Sequence, residues 1–250
     1  MMRALVLSGL ILAATPALAA NAPLQQAQKK YKELDYQPMP GLLAEALLQP
    51  GLSPADYVEI YRLQGFTYTV LGDVQKARDA YLKLLIIDPG HQLEKGVSPR
   101  FRGAFEETKK DFETRGAVTL THVQPVVSGP SDGFDVEYRL HDEFGRVAAG
   151  AARVRAIVGG REGGFVNVAL QSAGPRTGDR VFRGRLPDPT ASIPGERPSG
   201  YFLEYEAAFT NPVGAPVTVG GAVTSWKLTV GDPNAAPAVV AAPPPAAPAA

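Results

Sequence analysis

Apolar positions recur every three or four residues through the first half of the chain and every second residue through the rest. From Leu24 to Gln49, Ala27, Tyr31 and Leu34 share one stripe, and Leu42, Leu43, Ala46 and Leu47 share another. Pro38 and Pro40 separate the two, and Pro50-Gly51 ends the second, so the spacing predicts two short helices. Ser53-Pro54 opens the next helix with a capping hydroxyl and a proline whose missing N–H is harmless at the first position. Tyr61 to Pro89 then reads as two amphipathic helices broken at Leu71-Gly72-Asp73. Gly72 suits the left-handed residue that ends a helix, and Asp73 the cap of the next. Ser98-Pro99 repeats the opening device. Pro99 to Glu113 follows as a terminal helix with Phe101, Ala104, Phe105, Thr108 and Phe112 on one face.

After Gly116 the period falls to two. Phe134, Val136, Tyr138 and Leu140 alternate with Asp135, Glu137, Arg139 and His141, as in a strand with one face buried. Val154-Ala156-Val158, Val166-Val168-Leu170, Phe182-Leu186, Tyr201 to Phe209 and Trp226-Leu228-Val230 repeat the theme. Turn residues punctuate them: Ser131-Asp132-Gly133, Gly159-Gly160, Gly163-Gly164, Thr177-Gly178-Asp179 and Asn211-Pro212.

Tyr61, Gly65, Tyr68, Gly72, Ala77, Tyr81 and Pro89 fall at the offsets of a ~34-residue helix–turn–helix unit. With these seven positions the N-terminal half resembles a tetratricopeptide-repeat protein, with Gly65 and Ala77 small where two helices approach and Tyr68 and Tyr81 filling between them. Leu24 to Gln49 resembles a degenerate copy, turning at Leu34-Asp35-Tyr36. The seven or eight strands that follow resemble, in architecture only, an antiparallel sandwich of immunoglobulin or fibronectin type III kind. The expected fold is therefore multidomain, α then β: a short helical-repeat stack, an antiparallel β-sandwich and a disordered tail.

Composition adds the ends. Arg3, the apolar run Leu5 to Ala14, Pro16 and then Ala17-Leu18-Ala19 have the order of a cleavable secretory signal. Mature protein would begin at Ala20 or Asn21 and be exported to a bacterial periplasm, with no transmembrane span. The chain has no cysteine, so packing alone must hold it. Residues 231–250 are almost all Ala and Pro and predict an extended or disordered tail. The expected divisions are 1–20, signal; 21–115, helical; 116–230, β-sandwich; and 231–250, tail. The Leu186 to Gly200 loop carries Pro187, Pro189, Pro194 and Pro198 and reads as a stiffened insertion. Lys and Arg together equal Asp and Glu at 25 each, so charge gives no argument for nucleic acid as a partner.

Candidate chemistry is sparse. His91, His122 and His141 stand in no metal-binding spacing, and each reads as solvated. No serine sits in G-x-S-x-G, and the glycines of 159–164 lie between strands, where they make a hairpin rather than a phosphate loop. Asp142-Glu143 and Glu106-Glu107 are adjacent without being a defined acid–base pair. Arginine dominates the cations of the β region, and acidic neighbours balance it as a charged face, with Arg183 and Arg185 sharing one strand side. No enzyme, cofactor or metal is expected.

The repeat resemblance implies binding of partner segments along the first helix of the matched unit. Glu59, Arg62, Phe66 and Thr69 share one face of it at three- and four-residue steps. The expected function is a non-enzymatic scaffold of the cell envelope with a protein partner. The alternative is a β-sandwich for carbohydrate or cell-wall polymer, with the helices as a docking accessory. Trp226, alternating with Leu228 and Val230, is expected in the core, which leaves a sugar site without an exposed tryptophan.

Overall fold

The protein is described here from a computed structural model, which covers residues 21–127, 132–192, 198–220 and 225–231. The expected signal over 1–20 and the tail from residue 232 onward lie outside the described residues, as does part of the proline-bearing loop.

Five helices form the N-terminal half: α1 (Ala22–Lys32), α2 (Met39–Leu47), α3 (Pro54–Leu71), α4 (Val74–Ile87) and α5 (Pro99–Arg115). Their ends follow the sequence closely. Ser53 and Asp56 form a reciprocal capping box at the start of α3, with Pro54 in the first turn. Gly72 ends that helix in the left-handed conformation at φ 82, and Asp73 accepts the Lys76 amide to open α4. Between α3 and α4, Tyr81 is fully buried over Gly65, wedged between the rings of Phe66 and Phe105. Burial pushes the Tyr81 hydroxyl up to about 12.

The helical half corrects the repeat-stack expectation. A stack needs units of like size repeating one neighbour contact. Here α1 and α2 have 11 and 9 residues while α3 and α4 have 18 and 14, and α5 is followed by a strand in place of a second helix. Two separate cores result. Leu24, Ala27, Met39 and Leu43 pack with Ile60 and Leu63, whereas Phe66, Tyr81, Leu84 and Leu85 pack with Phe105 and Phe112.

The strands are β1 (Val118–His122), β2 (Gly133–Asp142), β3 (Ala149–Val158), β4 (Arg161–Glu162), β5 (Val166–Ala173), β6 (Gly178–Pro187), β7 (Gly200–Thr210), β8 (Val219–Gly220) and β9 (Ser225–Gly231). They form one sheet ordered β8-β1-β2-β6-β5-β3-β7-β9, with β4 on β3, so the sandwich expectation is also corrected. β5 joins what were expected to be two layers. Its first half pairs with β3, Val166 opposite Val154, and its second half with β6, Ala173 opposite Val181. The sheet is mixed as well, because β8 runs parallel to β1 with Val118 opposite Val219. It curls into a half-barrel. The first strand approaches the last, where His122 meets Trp226 and the Gln124 side-chain amide donates to the Lys227 carbonyl at 2.6 Å. Tyr138, Val154, Phe182, Leu203, Tyr205 and Val230 fill the inside. Trp226 is only partly buried at its edge.

Helices and sheet meet at a built seam. Phe112 of α5 stacks on Phe144 in the β2–β3 turn at 5.7 Å, and Arg115 pairs with Glu143. Asn211, after β7, donates its amide to the Ile86 and Ile87 carbonyls at the end of α4, at 3.2 and 3.5 Å. Its side-chain oxygen accepts the Val213 and Ala215 amides. Residues that the helix would leave without partners are thus satisfied from the sheet.

Candidate functional site

The four residues expected to bind a partner lie together on α3, and each is engaged within the chain. Arg62 grips Glu59 with two hydrogen bonds of 2.8 and 2.9 Å. Phe66 is fully buried between Tyr31 and Phe101, at 5.7 and 4.7 Å between ring centres. The Thr69 hydroxyl donates back to the Gly65 carbonyl at 2.7 Å. The connection from α4 to α5 crosses this side of the helix: His91, Leu93, Glu94 and Val97 line a cleft with Val58, Glu59 and Arg62, and Leu93 and Val97 pack on the core.

The histidines occupy three different environments. His141 is exposed and bonds Asp179 at 2.7 Å, and His91 bonds Asp88 at 3.1 Å. His122 corrects its expectation, being held among Tyr138, Tyr205 and Trp226 rather than solvated. Its Nδ1 lies 2.6 Å from the Glu137 carbonyl, which can only accept, so Nδ1 carries the proton. Nε2, 2.9 Å from the Tyr205 hydroxyl, therefore accepts from it. Burial lowers the pKa of His122 below its ordinary 6.5, with the Glu137 carbonyl opposing. The unfolded chain consequently takes up this proton first on acidification. Stability supported by neutral His122 is present above pH 6.5 and is lost as pH falls through the lower folded value. His141, whose pKa is raised by Asp179, acts in the opposite sense. We expect the difference in stability between the parent and His122→Gln to narrow between pH 7.5 and 5, because only the parent carries the His122 dependence. Urea unfolding across that range, with His141 common to both proteins, measures it. A difference independent of pH contradicts the assignment.

Among the described residues no group of three His, Cys, Asp or Glu side chains is placed to hold a metal ion. Arg183 and Arg185, which share one side of β6, pair across the sheet with Glu137 and Asp135. Sequence reasoning passed over a different pair of cations. Tyr57 and Tyr61, one turn apart on α3, present parallel-leaning rings 6.4 Å between centres. Lys83 of α4 stands over Tyr61 with its Nζ 5.8 Å from the ring centre. Ile86 and Ile87 continue the wall, and Phe144, Gly145, Arg176, Pro212 and Val213 close it from the sheet side. The cleft they enclose has a volume of about 430 Å³. Its position is the seam, so it exists only when both halves are folded.

The electrostatics of this cleft are one-sided. Lys83 and Arg176 have no carboxylate partner, and no carboxylate lines the cleft among the described residues. Two more cations neighbour its lining, Arg146 next to Gly145 in the chain and Arg180 interacting with the charge of Arg176. Arg180 is buried, donating to the Val147 carbonyl and the Ser172 hydroxyl, and Arg146 donates to the Gly116 carbonyl beneath the Phe112 ring. Both are attracted by a single carboxylate, the buried Asp142, whose oxygens accept the Arg146 and Val147 amides. Burial lowers the pKa of both arginines, as expected where positive charge is under-compensated. Burial also raises the Tyr61 hydroxyl, with Tyr57 adding to the effect and Arg176 opposing it, so Tyr61 is a neutral donor. The arrangement offers an apolar, ring-lined pocket whose lining includes two cations without a carboxylate partner among the described residues.

No family model matches this sequence, and no curated protein is similar to it. Among solved structures, it is similar to a Pseudomonas fluorescens alkylpurine DNA glycosylase bound to DNA containing an abasic site analog. That similarity covers 84% of this chain and 74% of the other, with a TM-score of 0.30 and 9% identity. The tetratricopeptide and immunoglobulin-like readings are accordingly withdrawn, since no family model stands behind them and the sheet is a half-barrel. The envelope scaffold, its carbohydrate-binding alternative, and the expected absence of enzymatic activity and of nucleic acid are withdrawn with them, since no family model or curated relative stands behind any of these. At that score the similar structure assigns neither property to this chain. No helix among the described residues is long and apolar enough to cross a membrane.

Proposed function

We propose that the chain is a binding protein for a small anionic ligand with an apolar or aromatic body, taken up in the seam cleft. The observation that carries this reading is the pairing of Lys83 and Arg176, without carboxylate partners, with the Tyr57–Tyr61 rings in one pocket. Other cations of both halves are neutralised nearby: Arg78 by Asp111, Arg153 by Glu206, Arg155 by Glu204 and Glu162. Two that line one largely apolar cleft, with no carboxylate among the described residues beside them, have a physical use, which is to attract and fix an anion. The volume falls in the range of roughly 300–1,000 Å³ usual for small-molecule sites.

Titration calorimetry with aryl carboxylates, sulfonates and phosphates, set against benzylammonium of like shape, tests this. The anions are expected to bind, more weakly as salt rises, and the ammonium ion not to bind. Lys83→Ala and Arg176→Ala, both at exposed positions, are expected to weaken anion binding with no change in unfolding midpoint. Equal binding of anion and cation, or none of either, defeats the reading.

A further inference from the structure

We infer that the head group of the seam ligand is a dianion of the phosphate monoester class, carried on a ring that lies against Tyr57 and Tyr61; this rests on the seam cleft being the binding site. Two cations line one cleft, Lys83 from α4 and Arg176 from the β5–β6 turn, and among the described residues no carboxylate neutralises either. A monoanion compensates one and leaves the other facing its like. That residual repulsion is strengthened by buried Arg180, whose charge already interacts with that of Arg176. A phosphate monoester carries nearly two negative charges at neutral pH and several acceptor oxygens. A planar guanidinium receives two of those oxygens at once, and an ammonium group serves as a point charge for a third. The neutral Tyr61 hydroxyl adds a donor and no competing charge. The rest of the lining, Ile86, Ile87, Phe144, Pro212 and Val213, is apolar, which suits a ring and does not suit a free, fully hydrated ion.

The experiment compares phenyl phosphate, phenyl sulfate and inorganic phosphate by titration calorimetry at pH 7.5 and fixed ionic strength. Phenyl sulfate has the same body and a single charge, and inorganic phosphate has the charge without the body. Phenyl phosphate is expected to bind about tenfold or more tightly than either, the worth of one further charge-assisted contact. In Lys83→Ala and in Arg176→Ala, phenyl phosphate is expected to weaken about tenfold while phenyl sulfate changes less, so that the preference shrinks. Equal affinity for phenyl sulfate overturns the dianion and leaves the anion site standing. Equal affinity for inorganic phosphate overturns the monoester in favour of the free ion. Absence of binding by all three, together with the aryl carboxylates, removes the underlying site as well.

Discussion

Gly65→Val is expected to cost about 3 kcal/mol of stability, at the upper end for overpacking a core. A β-carbon at Gly65 would stand 2.6 Å from Cδ1 and Cζ of Tyr81 and closer still to Cε1. Real contacts do not come that close, so something must move. A flexible side chain could swing aside, but this ring is fully buried and meets Phe66 at 6.4 Å and Phe105 at 5.5 Å. Relief therefore requires separating α3 from α4, which exposes Leu84 and Leu85 with the ring. Gly41→Ala supplies the contrast. Its β-carbon meets nothing within 4 Å, so only helix propensity changes, by about 0.5–1 kcal/mol in the favourable direction. Denaturant unfolding of the two variants beside the parent measures both. An unchanged midpoint for Gly65→Val contradicts the close approach of the two helices.

Asn211→Ala is the second large effect, about 2–4 kcal/mol, and it acts at the seam. One side chain serves four backbone groups: the Ile86 and Ile87 carbonyls and the Val213 and Ala215 amides. Asn211 is buried, and each group left fully unsatisfied costs about 1–3 kcal/mol, but its four partners are only partly buried and regain part of this from water. The bonds to α4 are the weaker part geometrically, and the turn after β7 the tighter. Hydrogen exchange separates them. The Val213 and Ala215 amides, and those near the end of α4, are expected to lose protection in the variant, while amides inside α2 keep theirs. Protection unchanged at both places would mean that the turn holds itself.

Much of the helical half was legible because its signals are local. Ser53-Pro54, Gly72-Asp73 and the Gly65/Ala77 spacing each act within a few residues of their own position, and the structure places each in a helix end or a helix contact. The alternation after Gly116 likewise found the strands, because burial of one face requires it. Alternation fixes which face is inside and says nothing of which strand lies beside which. Hence β5, reading as an ordinary strand, concealed its division between β3 and β6, and the two residues of β8 were too short to leave a pattern. The same limit hid the site. Tyr57 and Tyr61 look like helix packing, and Arg176 like one arginine among many. Only folding sets that turn beside α4, and no spacing announces it. His122 escaped for the same reason, since Tyr205 and Trp226 reach it from strands far along the chain.

The seam also imposes an order in time. Helical contacts close over tens of residues, whereas Val118 waits for Val219 and the Ile86 carbonyl for Asn211, 125 residues later. Long-range pairing of that kind is slow, because loop entropy is lost before any contact rewards it. During synthesis the five helices emerge and can collapse while the turn that completes the cleft is still unmade. The ligand pocket thus belongs to the final stage of assembly. A ligand added to refolding protein has nothing to hold until that stage is reached. It should slow unfolding rather than hasten folding, and so lengthen the lifetime of the finished molecule.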